Sequence, residues 1–205
     1  GYRSVYDNHT VRDEKIGRQQ FRFVAAYDIN PKQSINLQGL YSHTAFRQDF
    51  YGEELYYSNP PSNGQAHTFK SRVFGITGGT LNYAWKMDTA GSTLKIIADY
   101  SLQQKTEDSR FTRTNSDPAR EGDWRTAVPA DTRTFTLQSD LLKQFRKKTV
   151  LTAGVKYASV YRSNPLRTDD FIDSSWVFNP AQSNHFVYRE KVLMAYSLGE
   201  RTIRN

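Results

Sequence analysis

Leu94, Ile96, Ala98, Tyr100 and Leu102 alternate with Lys95, Ile97, Asp99, Ser101 and Gln103. Successive side chains point to opposite faces only in a β-strand, whereas a helix would scatter this set around its circumference. One face is therefore apolar and the other polar, with Ile97 alone out of place. The same two-residue period recurs in Phe21, Phe23, Ala25 and Tyr27, in Ile35, Leu37, Gly39 and Tyr41, and in Leu151, Ala153, Val155 and Tyr157. It predicts an all-β chain, an antiparallel up-and-down meander of about seven long strands, over residues 19–28, 34–48, 68–86, 93–103, 132–141, 149–160 and 185–198. Short connections at 30–33, 87–92 and 142–148 alternate with long loops at about 49–67, 104–131 and 162–184. Residues 1–18 are polar and read as a further loop. Gly75, Gly78 and Gly79 imply a bend or bulge in the third strand. In the seventh, Phe186, Tyr188, Val192, Met194 and Tyr196 form the apolar row, with Glu190 spoiling it, opposite Arg189, Lys191 and Ser197.

Loops beyond about 12–15 residues are uncommon in compact soluble domains. A membrane-spanning β-barrel has short turns on one side and long loops on the other. Its strands need about 9–11 residues to cross, against a mean of about 5–6 in soluble proteins. In hydrocarbon every backbone polar group must be paired within the protein, so a sheet survives there only as a closed barrel. Only 37% of the chain is hydrophobic, yet 14% is aromatic. Strands that bury one face in lipid and gather aromatics at its boundaries need that mixture. Tyr27, Tyr83 and Trp85 lie beside the short turns, and Tyr41, Phe69, Tyr157 and Phe186 nearer the long loops. Two such rows are expected to mark the membrane interfaces. A soluble β-sandwich or lectin-like binding module would produce the same rows as its core. Strand length and loop asymmetry favour the barrel.

Several chemistries find no support. The chain has no cysteine, hence no disulfide or thiolate site. No run of about 20 apolar residues offers a membrane-spanning helix. No signal peptide is visible, and Gly1-Tyr2-Arg3 reads as the start of a fragment or mature segment. The net charge of +7 invites nucleic acid, but the cations are interspersed with acids, as in residues 105–110, so no nucleic-acid partner is expected. His9, His43, His67 and His185 lack metal-ligand spacing. Glu53-Glu54 and Asp169-Asp170 read as solvated loop charges, Asp173 completes no calcium loop, and Ser174-Ser175 lacks the hydrolase turn. No enzyme site, metal or cofactor is expected. Arg110, Arg113, Arg120, Trp124 and Arg125 are the candidate ligand-binding residues, since guanidinium groups beside an aromatic suit anionic chelates or sugars. The competing reading is a solvated loop whose charges pair with Glu107, Asp108, Glu121 and Asp123. Lys70, Arg72, Lys95, Asp99 and Lys156 have the polar parity and are expected to face a lumen.

Residues 94–100 (Leu-Lys-Ile-Ile-Ala-Asp-Tyr), 151–157 (Leu-Thr-Ala-Gly-Val-Lys-Tyr) and 186–196, with their Phe-Val-Tyr-Arg-Glu opening and Ala-Tyr end, resemble successive strands of the outer-membrane β-barrel family related to TonB-dependent receptors. The resemblance covers about residues 81–198. It implies a bacterial outer-membrane location, surrounding lipid, a large barrel, and a plug domain inside it. It also implies energy-coupled import of a nutrient such as a metal chelate or glycan, with a periplasmic energy-coupling partner. This stretch has no plug-like domain or coupling segment, and about seven strands against about 22 in such transporters. Seven is also odd, whereas complete bacterial barrels are usually even. The expectation is therefore a middle slice of a longer barrel.

Overall fold

Nine strands form one antiparallel sheet that crosses from end to end seven times. The computed structural model describes residues 6–57, 60–145 and 149–201. Strands β1 (Tyr6–Asn30), β2 (Gln33–Tyr56), β3 (Ser62–Lys86) and β4 (Thr93–Asn115) follow one another as neighbours. The fifth crossing is divided into β5 (Gly122–Ala127) and β6 (Ala130–Phe145), both paired with β4. The break is local. Val128 exchanges both backbone bonds with Glu107, and Pro129 has no N–H to continue the ladder. β7 (Thr149–Ile172) pairs with both pieces, then turns through Asp173 and Ser174 into β8 (Ser175–Phe178). Both turn residues have positive φ, 48° and 64°, as a two-residue hairpin turn that matches strand twist requires. A 3-10 turn at Pro180–Gln182, capped by the Asn179 side chain, separates β8 from β9 (Asn184–Arg201), which returns along β7.

The strands outrun the expected ones. β1 and β3 have 25 residues each, which at about 3.3 Å per residue is roughly 80 Å. The stretch expected as an N-terminal loop is strand from Tyr6 onward, with residues 1–5 outside the described residues. The three expected long loops are mostly strand as well: β2 and β3 pair as far as Tyr56 and Ser62, β4 and β5 as far as Arg113 and Gly122, and β7 and β8 up to the turn. The physical reason is that a backbone ladder needs no apolar side chains. Once neither face borders lipid, charged and polar residues occupy both, and the alternation that reveals a strand disappears. The expected bulge is absent too. Gly75, Gly78 and Gly79 pair in unbroken register with β2 and β4.

Directly paired residues share a face, so the register sorts the side chains. One face carries Phe21, Phe23, Ala25 and Tyr27 beside Tyr41, Gly39, Leu37 and Ile35. Leu81, Ala98, Leu137, Tyr157 and Leu193 form one row across five strands of it. We call it the outer face. Its apolar stretch on β4, Leu94 to Leu102, is about 27 Å long along the strand, the scale of a bilayer belt. Phe23 lies over Gly39, which has no side chain to oppose the ring. The other face carries Gln38, Thr80, Asp99, Thr136 and Lys156 and is polar.

β9 corrects the parity reading. Its row Phe186, Tyr188, Val192, Met194 and Tyr196 lies on the polar face, because Tyr196 pairs with Gly154 and Met194 with Lys156. The missing side chain at Gly154 lets Tyr196 pass over β7 and donate its hydroxyl proton to Asp140 at 2.8 Å. Phe186, expected at the membrane interface, faces inward opposite Asn164.

No hydrophobic side chain among the described residues is buried, and Leu193 is 78% exposed. A soluble β-sandwich packs two sheets around a buried apolar core. This single layer has none, so the sandwich reading fails. The sheet is held by its ladders and by cross-strand contacts. At the short-turn end, Asp88 accepts from the Ala90 and Ser92 backbone N–H groups, each at 3.0 Å, and from Lys143 Nζ at 2.9 Å. The fully buried Ser92 hydroxyl accepts from the Gln144 N–H at 3.0 Å, tying this turn to β6.

Two outcomes are expected of the full-length protein. The hydrogen bond from Lys143, followed by those from Ser92, holds the Asp88 carboxyl well below the usual range. Folding therefore lowers its proton affinity. Its contribution is complete above the ordinary carboxylate value near 4 and fades as pH falls below that. Asp88→Ala should lower the thermal unfolding midpoint in detergent at pH 7, and the difference from the parent should narrow below about pH 4. Leu81→Arg, at the centre of the outer apolar belt, should destabilise the protein in lipid vesicles by about 2–4 kcal/mol. Thr80→Arg, on the polar face, should cost much less, as read from denaturant unfolding in lipid.

Candidate ligand-recognition surface

Above the apolar belt the outer face becomes charged. Asp49, Phe69, Arg110, Arg125 and Asp169 are successive register partners across five strands. Arg110 donates to Asp123 at 2.7 Å and Arg125 to Asp169 at 2.9 Å, while Arg167 pairs with Asp169 at 2.9 Å. Asp169 is only 3% exposed, and a buried carboxylate is tolerated only when paired and hydrogen-bonded. Arg167, then Arg125, hold its carboxyl below the usual range. The Trp176 ring lies 5.3 Å from the Arg110 guanidinium and 4.6 Å from that of Arg125, and Phe171 tilts against it. This cluster fastens the β4–β5 hairpin to the β7–β8 hairpin.

A second group lies at the rim on the polar face. Arg113 pairs with the buried Glu54 at 3.2 Å. Arg120 covers the Tyr56 ring at 4.0 Å and meets Asp117 at 3.2 Å. Trp124 stacks on its register partner Phe111, with centroids 5.0 Å apart. Beside them an open depression of about 470 Å³ is lined by Glu53, Glu54, Asn115 and Glu121. Asn115 Nδ2, at this depression, and Arg113 Nε and Ser62 Oγ nearby are buried without a hydrogen-bond partner among the described residues. Buried polar atoms in native proteins usually meet a partner, water or ligand.

The five residues expected to bind ligand therefore do not converge. Arg110 and Arg125 take the outer face; Arg113 and Trp124 take the polar face, and Arg120 covers Tyr56 at the rim. Each of the four arginines has an acid beside it. Sequence reasoning missed Tyr56, Arg167 and Trp176, in stretches it read as loop, and read Glu54 and Asp169 as solvated charges although both are buried in ion pairs. The two-residue spacing of Arg167, Asp169 and Phe171 was the available signal.

The five residues expected to face a lumen do share the polar face: Lys70 and Arg72 on β3, Lys95 and Asp99 on β4, and Lys156 on β7. Arg72 and Lys105 converge on Glu107, both at 2.8 Å. Asp99 accepts from Thr80 at 2.6 Å and Thr136 at 2.9 Å. Lys70 lies over Phe50. Among the described residues, Lys95 and Lys156 make no ion pair, nor do Arg18 and Arg22 on the same face. Of the expected interface aromatics, Tyr27, Tyr83 and Trp85 lie on the outer face near the short turns, and Tyr157 lies on it against Phe135. No cluster of three metal-ligating side chains occurs among the described residues.

No curated protein matches the chain. Among solved structures, the ferric citrate transporter FecA in its unliganded form is 10% identical, with 85% of this chain and 26% of that chain covered and a TM-score of 0.34. The ferric yersiniabactin uptake receptor FyuA from Yersinia pestis is 9% identical, with 96% and 43% covered and a TM-score of 0.22. The chain thus spans about a quarter of the length of FecA. The outer membrane protein beta-barrel family is matched by residues 85–205. A meander of long antiparallel strands with one bare apolar belt is what that family requires, and this chain belongs to the outer membrane protein beta-barrel family.

Proposed function

We propose that this chain is one part of the wall of a larger outer-membrane barrel, of the TonB-dependent-receptor type, that serves uptake or binding of a nutrient ligand without catalysis. One observation carries the reading: seven crossings form a single layer, and among the described residues no pairing joins β1 to β9. In lipid, edge backbone groups need partners, so the remaining barrel strands are the first partners of this segment and lipid is the second. A plug domain and a periplasmic energy-coupling protein complete the proposed assembly.

The polar face supports a choice of ligand. Arg18, Arg22, Lys95 and Lys156 lack acid partners among the described residues, and Lys70 rests on a ring. Such a wall favours an anionic solute, a metal chelate carrying carboxylates or an acidic glycan, over a neutral one. The rim group around Arg113 and Asn115 is where the ligand would first meet buried donors that have no partner among the described residues.

The full-length protein in outer-membrane vesicles provides the test. Reversing two wall charges, Lys95→Glu with Lys156→Glu, should weaken uptake of an anionic ferric chelate by about tenfold at low salt, and much less at high salt. Uptake of a neutral oligosaccharide should change little. Equal loss for both solutes, or no loss for either, would remove the charge-selective wall from the proposal. Recovery of full-length protein in the soluble periplasm would end the barrel reading altogether.

A further inference from the structure

The polar face is not polar throughout. Between the rim and the upper edge of the apolar belt, rings interrupt it. Phe50, Phe111 and Trp124 share one row of the register, with Thr68 between the first two. Phe46, Phe74 and Ile76 follow in rows below on β2 and β3, and Leu40 comes next on β2. The rows from Phe111 to Gln103, the partner of Ile76, span about 26 Å along β4. Each of these residues lies on a strand whose two neighbours are both in this chain. None is buried: Phe74 is 37% exposed and the others are half-buried.

Cations stand beside the rings. Lys70 Nζ lies 6.0 Å from the Phe50 ring centroid. Arg72 and Lys105, in the rows of Phe46 and Phe74, share Glu107 as their acid. Over these rows β2, β3 and β4 give this face three cations and one acid. A depression of about 340 Å³ opens here, with Phe46, Phe74 and Ile76 on its walls beside Arg72. A second, of about 420 Å³, shares Ile76 and continues past Leu40 and Gly78. Aromatic rings attract one another offset or edge to face, beyond the gain from the area they bury. Guanidinium and ammonium groups pair with carboxylate and phenolate oxygens. A sugar ring needs hydrogen-bond partners for its hydroxyls all around its edge, and phenylalanine offers none.

We propose that this staircase of rings binds an anionic solute built on aromatic rings, an aryl chelate, and passes it from the Phe111–Trp124 pair down to the depression at Phe46 and Phe74. Resting on the reading of this face as the inner wall of an uptake barrel, it decides among the anions that such a wall admits. The rings favour an aryl chelate over an acidic glycan or a ring-free carboxylate chelate.

The test uses full-length protein in outer-membrane vesicles and two iron-labelled probes. One is the ferric complex of protocatechuate, whose catechol rings carry carboxylates; the other is ferric citrate, anionic but without rings. Iron retained by the protein is measured over a concentration series. The parent should hold the catechol complex at least about tenfold more tightly. Phe46→Ala with Phe74→Ala should remove that advantage and leave ferric citrate unchanged. Phe69→Ala, on the outer face of β3, should bind both as the parent does. Heat-shifted gel mobility confirms folding of each variant; should the double alanine variant not fold, Phe46→Leu with Phe74→Leu keeps apolar bulk without the rings and should still give a several-fold loss. Equal binding of the two probes by the parent would overturn the proposal and leave the charge-selective wall standing, since both probes are anions. A double variant that binds as the parent does, the result expected of rings that only pack against the rest of the protein, would overturn it as well. So would an equal loss in Phe69→Ala, or displacement of the catechol complex by an equal concentration of oligogalacturonate. Binding of neither probe would overturn it together with the anion-selective wall.

Discussion

Backbone pairing is the interaction on which everything else in this structure depends. The described chain has no buried hydrophobic side chain, so burial of a protein core does not hold it together. Strands of 23 to 25 residues instead satisfy their N–H and C=O groups on their neighbours along almost their whole length. That arrangement suits a bilayer, where an unpaired backbone group is costly and an exposed apolar side chain is not. It also explains how the ladder continues above the membrane. The same hydrogen bonds hold there, while ion pairs such as Arg125–Asp169 and Arg113–Glu54 take over the cross-strand contacts.

The two faces then divide the chemistry. The outer one is apolar for about the depth of a bilayer and charged above it. The polar one carries cations without acid partners among the described residues, alongside a few well-satisfied acids such as Asp99. The change along the outer face is abrupt: Leu102 on β4 is followed on the same face by Gln104, and Phe135 on β6 is preceded by Arg133. This boundary falls at Arg133 and Arg189, which stand on either side of Tyr161. It leaves Arg110 and Arg125 well above it, occupied in joining two hairpins.

Much of the fold was legible because lipid on one side and polar surroundings on the other impose a period of two. Leu94 to Gln103 could be assigned to a strand, and its residues to an apolar and a polar face, from the pattern alone. The turns at Pro31-Lys32 and Met87–Ser92 were equally plain. Legibility ended where the lipid ended. Residues such as Arg47, Gln48 and Asp49 give no hint of which side they take, and Tyr6–Arg18 and Thr106–Asn115 looked like loop although they are paired throughout. The parity of β9 misled for a related reason. Tyr196 and Met194 are apolar enough for lipid, and only pairing with Gly154 and Lys156 turns them inward.

For the candidate sites, the sequence by itself determined the inventory: no cysteine, no metal-ligand spacing, an excess of cations, and a set of lysines, arginines and Asp99 with polar parity. Those properties follow from residue type and two-residue spacing, which need no neighbour to be defined. Only the tertiary structure decided which charges are spent and which remain. Arg110, Arg113, Arg120 and Arg125 lie close together in sequence, yet register distributes them to different faces and gives each an acid partner. Arg133 and Arg189 are far apart in sequence, and register brings them to either side of one tyrosine. An ion pair depends on distances of a few ångströms between strands, and strand register is set by the whole ladder rather than by any local stretch of chain.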